Sequence, residues 1–184
     1  MSSSTKRSVL DYLLDITEIL IIGSTVFLLV YLFVGQLLEV TGESMSPTLM
    51  DREQVLAEKL STRFKPLQRG EIIIFRHPDQ HSRLLIKRVI GLPKENFKLS
   101  QGQIFINGAL LTEYYLPANT QTTGSKMIIE DQEYSLSNTS YILLGDNREK
   151  SSDSRSFGPI REELIVGRAV LVYFPFNHIR LIEH

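Results

Sequence analysis

The chain has 184 residues, 42% hydrophobic and 22% charged, with 20 Lys+Arg against 21 Asp+Glu. That balance describes a globular protein of about one domain and lacks the basic excess of a nucleic-acid binder. The absence of cysteine excludes disulfides, zinc fingers, thiol catalysis and thiolate-held clusters.

In chain order, residues 1–18 read as a short cytoplasmic segment and residues 19–38 as a membrane anchor. The anchor, ILIIGSTVFLLVYLFVGQLL, carries no charge. Twenty helical residues span about 30 Å, the thickness of a bilayer's hydrocarbon core. A cleavable leader would need a small-residue site after the apolar run, and the first alanine is Ala57. A buried core helix would keep a polar face, which this stretch lacks. Lys6 and Arg7 precede the span and Arg52 is the first basic residue after it, so the positive-inside rule puts the N-terminus in the cytoplasm.

Residues 39–184 change to short β-rich pieces between turn formers. Strands are expected at 54–58, 71–75, 84–90, 97–99, 103–106, 126–129, 140–144 and 169–173. Asn107-Gly108 predicts a two-residue hairpin turn into 109–111. Short helical turns are expected at 46–50 and 161–165, and a mobile excursion at 120–124. The fold class is mainly β: one N-terminal transmembrane helix, then an antiparallel sheet or barrel-like domain.

Three segments could carry chemistry. Gly42-Glu43-Ser44-Met45-Ser46-Pro47-Thr48-Leu49 sets two serines at a corner, where a hydroxyl and backbone N–H groups can face one cleft. Taken alone, Ser-Pro is an ordinary turn. In a strand over 84–90, Leu85, Lys87 and Val89 share one face, opposite Ile86, Arg88 and Ile90. A lysine flanked by aliphatics loses hydration and its pKa falls toward neutrality, which suits a general base. The plain alternative is a lysine that extends its ammonium to water. The loop from Gly145 to Arg155 alternates hydroxyls, carboxylates and guanidiniums, and could orient such a base or simply be a solvated loop. His77 and His81 flank Pro78-Asp79, so a helical metal pair is not expected; nothing local favours a histidine triad.

In this order behind one apolar span, the segments resemble the membrane-anchored type I signal peptidases. The likeness runs through the serine turn, Arg69-Gly70-Glu71 with its following strand, Leu85-Ile86-Lys87-Arg88-Val89-Ile90-Gly91-Leu92-Pro93, and the 145–155 loop. The resemblance implies Ser44 as nucleophile, Lys87 as unprotonated general base and Ser151 as the hydroxyl that orients it. It implies Asp153 and Arg155 as a supporting pair, and a second oxyanion donor at the position held here by Gly42. It further implies that Leu38, Val40, Met45, Leu49, Leu85 and Ile86 shape shallow pockets for small side chains of exported preproteins. An extended substrate would pair with the edges at 38–42 and 84–86. No cofactor or metal is implied. A small β subdomain is expected between 94 and 141. The location implied is the plasma (inner) or thylakoid membrane, with the catalytic domain on the outer face. Rival readings are another Ser–Lys protease, such as an organelle inner-membrane peptidase, and a non-catalytic membrane-tethered β-domain that binds a partner.

Overall fold

The computed structural model describes residues 9–33 and 35–182, without the side chains at 29–33 and 63. Helix α1 (Val9–Phe33) begins ten residues before the span expected at 19–38 and ends five before it. At its start the helix takes in Asp11, Asp15 and Glu18. At its end, pairing wins over helix: strand β1 (Gly35–Glu39) bonds to β2 (Gln54–Glu58) from Gly35↔Glu58 through Glu39↔Gln54. Among the described residues no helix is long and apolar enough to cross a membrane.

After β2 come α2 (Ser61–Phe64), β3 (Ile72–Arg76) and β4 (Leu84–Gly91). The next run is β5 (Asn96–Ser100), β6 (Gln103–Ile106), β7 (Ala109–Leu110) and β8 (Glu133–Ser135). The chain then returns through β9 (Ser140–Leu144), α3 (Ser154–Phe157), β10 (Ile160–Arg161), β11 (Ile165–Phe174) and β12 (Arg180–Leu181). The main sheet has the order β1-β2-β11-β3-β4-β9-β10, with β12 also on β11. Every pair is antiparallel. Register shifts along β11 and at Val89/Gly91 bend the strands and increase their twist, which curls the sheet.

The second sheet, β7-β6-β5-β8, is the small subdomain. Its Asn107-Gly108 turn has φ of 52° and 80° and joins Ile106↔Ala109, as the hairpin signal requires. Residues 126–129 are not a strand. Their N–H groups go elsewhere, those of Met127 and Ile128 to the Arg155 carbonyl, while the Ile128 side chain fills the core. The stretch 120–124 is irregular but held: Thr122 is buried, and its N–H donates to the Gly102 carbonyl.

Alternation along β4 divides the core. Leu84 and Ile86 pack with Val55, Ile72, Ile74 and Val172. Leu85 and Val89 pack with Ile73, Phe75 and Leu143. Ile90 joins Ile142 and Leu144 against Phe97, Leu99 and Ile104 of the small sheet. Arg88 sits among these at 1% exposure. Asp146 answers it with Oδ1 2.9 Å from Nε and Oδ2 2.6 Å from Nη2, while Nη1 donates to the Gly70 carbonyl at 2.7 Å. The Tyr115 ring lies 3.9 Å from the guanidinium carbon.

Removing one partner of such a pair strands the other charge in the interior. Asp146→Ala is therefore expected to lower stability by about 3–5 kcal/mol in denaturant unfolding. A loss below about 1 kcal/mol would mean that Arg88 does not depend on this carboxylate.

Candidate active site

The serine segment follows β1 as a tight corner. Val40 donates to the Glu53 carbonyl and Arg52 to the Val40 carbonyl, which closes the loop between them. Gly42 turns the chain at φ +88°, in the left-handed region where glycine avoids the steric penalty of a Cβ. Its N–H donates to Asp51 Oδ1 at 2.7 Å, so neither a side chain nor the N–H of Gly42 is free to serve the cleft. One helical turn follows, closed by Leu49 N–H to the Met45 carbonyl at 2.9 Å. Met45 and Leu49 point into the core and leave Ser44 at the cleft.

Lys87 is 2% exposed, and its Nζ lies 2.7 Å from Ser44 Oγ. Strand β9 pairs β4 only from Arg88 onward, so the edge beside Ile86 and Lys87 is open. The amine folds over that edge and donates to the Ile86 carbonyl at 2.9 Å. Burial pushes its pKa down to about 8; the nearby Asp153 carboxylate opposes the shift and Arg83 adds to it.

The 145–155 loop seats against both residues. The Asn147 N–H donates to the Ser44 carbonyl at 3.1 Å. A Cβ at Gly145 would collide with Ser151 Oγ and the Ser44 carbonyl, so this approach needs glycine. Ser151 lies there as expected, yet its Oγ is buried and has no hydrogen-bond partner among the described residues, Lys87 included. Asp153 caps the short helix α3 and takes Arg155 in a two-pronged pair, Nε to Oδ1 at 2.8 Å and Nη2 to Oδ2 at 2.9 Å. It also accepts the Gly145 N–H at 3.1 Å, which ties the pair to the glycine under Ser44.

A cleft of about 300 Å³ opens beside Ser44 and Lys87 and is lined by Val40, Met45, Leu85 and Ile86 among others. Leu38 and Leu49 do not line it. Leu49 is fully buried and Leu38 packs onto the same core, because the turn and the β1 register direct them inward. His77 is spent within its own turn, where Nδ1 accepts from the Asp79 and Gln80 N–H groups. Among the described residues no cluster of His, Asp or Glu could hold a metal ion.

Sequence reasoning did not assign roles to Asp146, Thr48 or Tyr115, which hold Arg88, or to Glu53 and Arg180. A cation at an inward position of β4 was the one available signal, and it names no partner. The elements thus place a weakened-base amine, a hydroxyl and two unpaired backbone edges around one cleft. A chain so equipped has the means of a hydrolase for extended peptides.

Comparison with known proteins gives the family. Residues 13–174 match the model for "Signal peptidase, peptidase S26". A "Signal peptidase I" of Bacillus amyloliquefaciens is 32% identical over 97% of each chain. "Signal peptidase I V" of Bacillus subtilis is 40% identical over 70% of this chain and 80% of its own. A crystal structure of a signal peptidase I from Enterococcus faecalis aligns at 30% identity over 56% of this chain and 97% of that one, with a TM-score of 0.45. The chain belongs to the signal peptidase family, peptidase S26, and is an enzyme of that family.

The displaced amine makes a stability prediction. The folded pKa of Lys87 lies below its ordinary 10.5, so its contribution is fully favourable above 10.5 and is lost as pH falls through about 8. Lys87→Met, of similar volume, is expected to be more stable than the parent by about 3 kcal/mol at pH 7 and to lose that advantage above pH 10.5. Equal stability of the two proteins at both pH values in denaturant unfolding would contradict a desolvated amine.

Proposed function

We propose that the enzyme is a membrane-bound serine endopeptidase that removes N-terminal signal peptides from exported preproteins, with Ser44 as nucleophile and Lys87 as general base. The observation that carries this reading is the 2.7 Å contact of Nζ with Oγ around an amine held at about 8. Neutral Lys87 takes the Ser44 proton as the oxygen attacks the scissile carbonyl. The oxyanion is received by the Ser44 N–H, since Gly42 offers no second donor. The resulting ammonium protonates the leaving amine, and water activated by Lys87 then releases the acyl group. Asp153 and Arg155 keep the loop under the dyad in place, and Ser151, unpartnered beside Ser44, is the hydroxyl available to steady the amine as it gains the proton.

The substrate lies extended between the edges of 38–42 and 84–86 and adds a strand to each through main-chain bonds. Val40, Met45, Leu85 and Ile86 give the cleft an apolar lining, which suits cleavage after small residues of the A-x-A kind. The enzyme attaches to the plasma or thylakoid membrane through the apolar sequence 19–38, of which α1 holds residues up to Phe33, with the N-terminus cytoplasmic and the sheet domain outside. Ile19, Leu20, Ile21 and Ile22 cover every side of the helix and are each more than half exposed, as lipid contact favours. Lys6 and Arg7 support the orientation.

The test is cleavage of a preprotein bearing an A-x-A site by the detergent-solubilised protein. Cleavage after the small residue is expected, with Ser44→Ala and Lys87→Ala both folded and reduced by about 10⁴-fold or more. The parent's kcat should rise with a midpoint near pH 8 and fall about tenfold per unit below it, because only the neutral amine accepts a proton. Full activity in Lys87→Ala, or a midpoint near 6.5, would reject lysine as the base and return attention to a histidine.

A further inference from the structure

The residues after Phe174 lie beyond those matched by the family model, yet they return to the turn that carries Ser44. A 3₁₀ turn (Phe176–His178) leads into β12, where Arg180 pairs with Val172 of β11. Two residues on, Ile182 packs in the same core cluster as Met45 and Leu49. These contacts fix Arg180 against the turn at 44–50.

Its guanidinium there makes a set of charge-assisted bonds. Nη1 donates to Glu53 Oε1 at 2.8 Å and Nη2 to Glu53 Oε2 at 2.8 Å. Nη2 also donates to the Thr48 carbonyl at 2.8 Å. Glu53 is buried and accepts the Met50 N–H at 3.0 Å, so the carboxylate grips the end of the same turn. His178 Nδ1 lies 3.2 Å from Glu53 Oε1. On the opposite side, the Thr48 hydroxyl donates to Asp146 Oδ2 at 2.5 Å. Thr48 is thus held by its carbonyl from the C-terminal strand and by its hydroxyl from the Arg88–Asp146 pair.

The turn needs this support. Too short to stabilise itself, it leaves its last carbonyls without helical partners. Ser44 and Thr48 are one helical turn apart, so freedom at Thr48 becomes freedom at the hydroxyl.

We infer that Arg180, through Glu53 and the Thr48 carbonyl, is a positioning residue that holds Ser44 Oγ on the Lys87 amine. The inference rests on Ser44 being the nucleophile. A displacement of about 1 Å at a reacting group costs up to about 100-fold in rate. KM is expected to change less than kcat, because the 84–86 edge stands on β4, whose ladder to β3 involves none of Arg180, Glu53 and Thr48.

The experiment uses the full chain in detergent with an A-x-A preprotein, comparing the parent with Arg180→Ala, Arg180→Lys and Ser44→Ala. Arg180→Ala is expected to lower kcat by about 10- to 100-fold with KM within about twofold, while circular dichroism shows a folded protein. Arg180→Lys keeps a cation for Glu53 and is expected to recover part of kcat. Should Arg180→Ala not fold, Arg180→Lys decides alone: a kcat below the parent at unchanged KM supports the inference. Parental kcat in the folded variant, or a fall matched wholly by the loss of folded protein, overturns it. Activity retained by Ser44→Ala would instead remove the nucleophile reading, whatever Arg180 does.

Discussion

A guanidinium buried at 1% exposure cannot be left without an anion, and the pairing of Arg88 with Asp146 is the constraint on which the rest of this structure depends. Arg88 belongs to β4, Asp146 to the loop after β9, and the Thr48 hydroxyl joins their carboxylate from the serine turn. Segments separated by 98 and 58 residues in sequence are thereby brought to one point. Lys87 precedes Arg88, Ser44 precedes Thr48 by one turn, and the Gly145 that admits the Ser44 carbonyl precedes Asp146. Satisfying the buried charge therefore brings the three chemical segments together. A buried pair of this kind adds little net stability over apolar packing. Its contribution here is registry.

The same site shows opposing demands on Lys87. Water exclusion lowers its pKa toward the working range, while Asp153 draws it back up. Asp153 is kept from acting as a full counter-ion because Arg155 occupies both of its oxygens. The amine is dry enough for its pKa to fall to about 8 and remains within reach of a carboxylate that favours its charged form. Such a group is costly to fold, and its cost falls on the acid side.

Sheet topology accounts for access. Because β9 begins to pair with β4 only at Arg88, the preceding residues keep a free edge, and β1 at the end of its sheet keeps another. The curl produced by the bulges in β11 and β4 turns those two edges toward one cleft. An open edge is an aggregation hazard in most proteins. Here the two edges border the cleft that holds Ser44 and Lys87, where an extended chain can add as a further strand.

Much of this was legible along the chain. The alternation of β4, the Asn107-Gly108 hairpin and most strands follow from side-chain spacing and turn chemistry, which are local. Residue types marked the serine turn, Lys87 and the 145–155 loop as candidates, and the resemblance to a family carried by their order singled out Ser44, Lys87, Asp153 and Arg155. The short strands β8, β10 and β12 were not legible, because their polar or two-residue stretches become strands only when a neighbour offers its edge, and β1 was hidden in the apolar run read as an anchor. The boundary of α1 was likewise set by β2, and 126–129 lost its strand to the Arg155 carbonyl. Leu49 reads like Met45 in sequence, yet the turn buries it away from the cleft. Ser151 stands beside the dyad without the bond expected of it, a matter of ångströms that no spacing encodes. The sequence by itself marked the serine turn, Lys87 and the 145–155 loop as candidates, since a hydroxyl, an amine and a polar loop are recognisable by residue type. Tertiary structure decided which of them meet and how dry the amine is, since desolvation and contact depend on segments far apart in the chain.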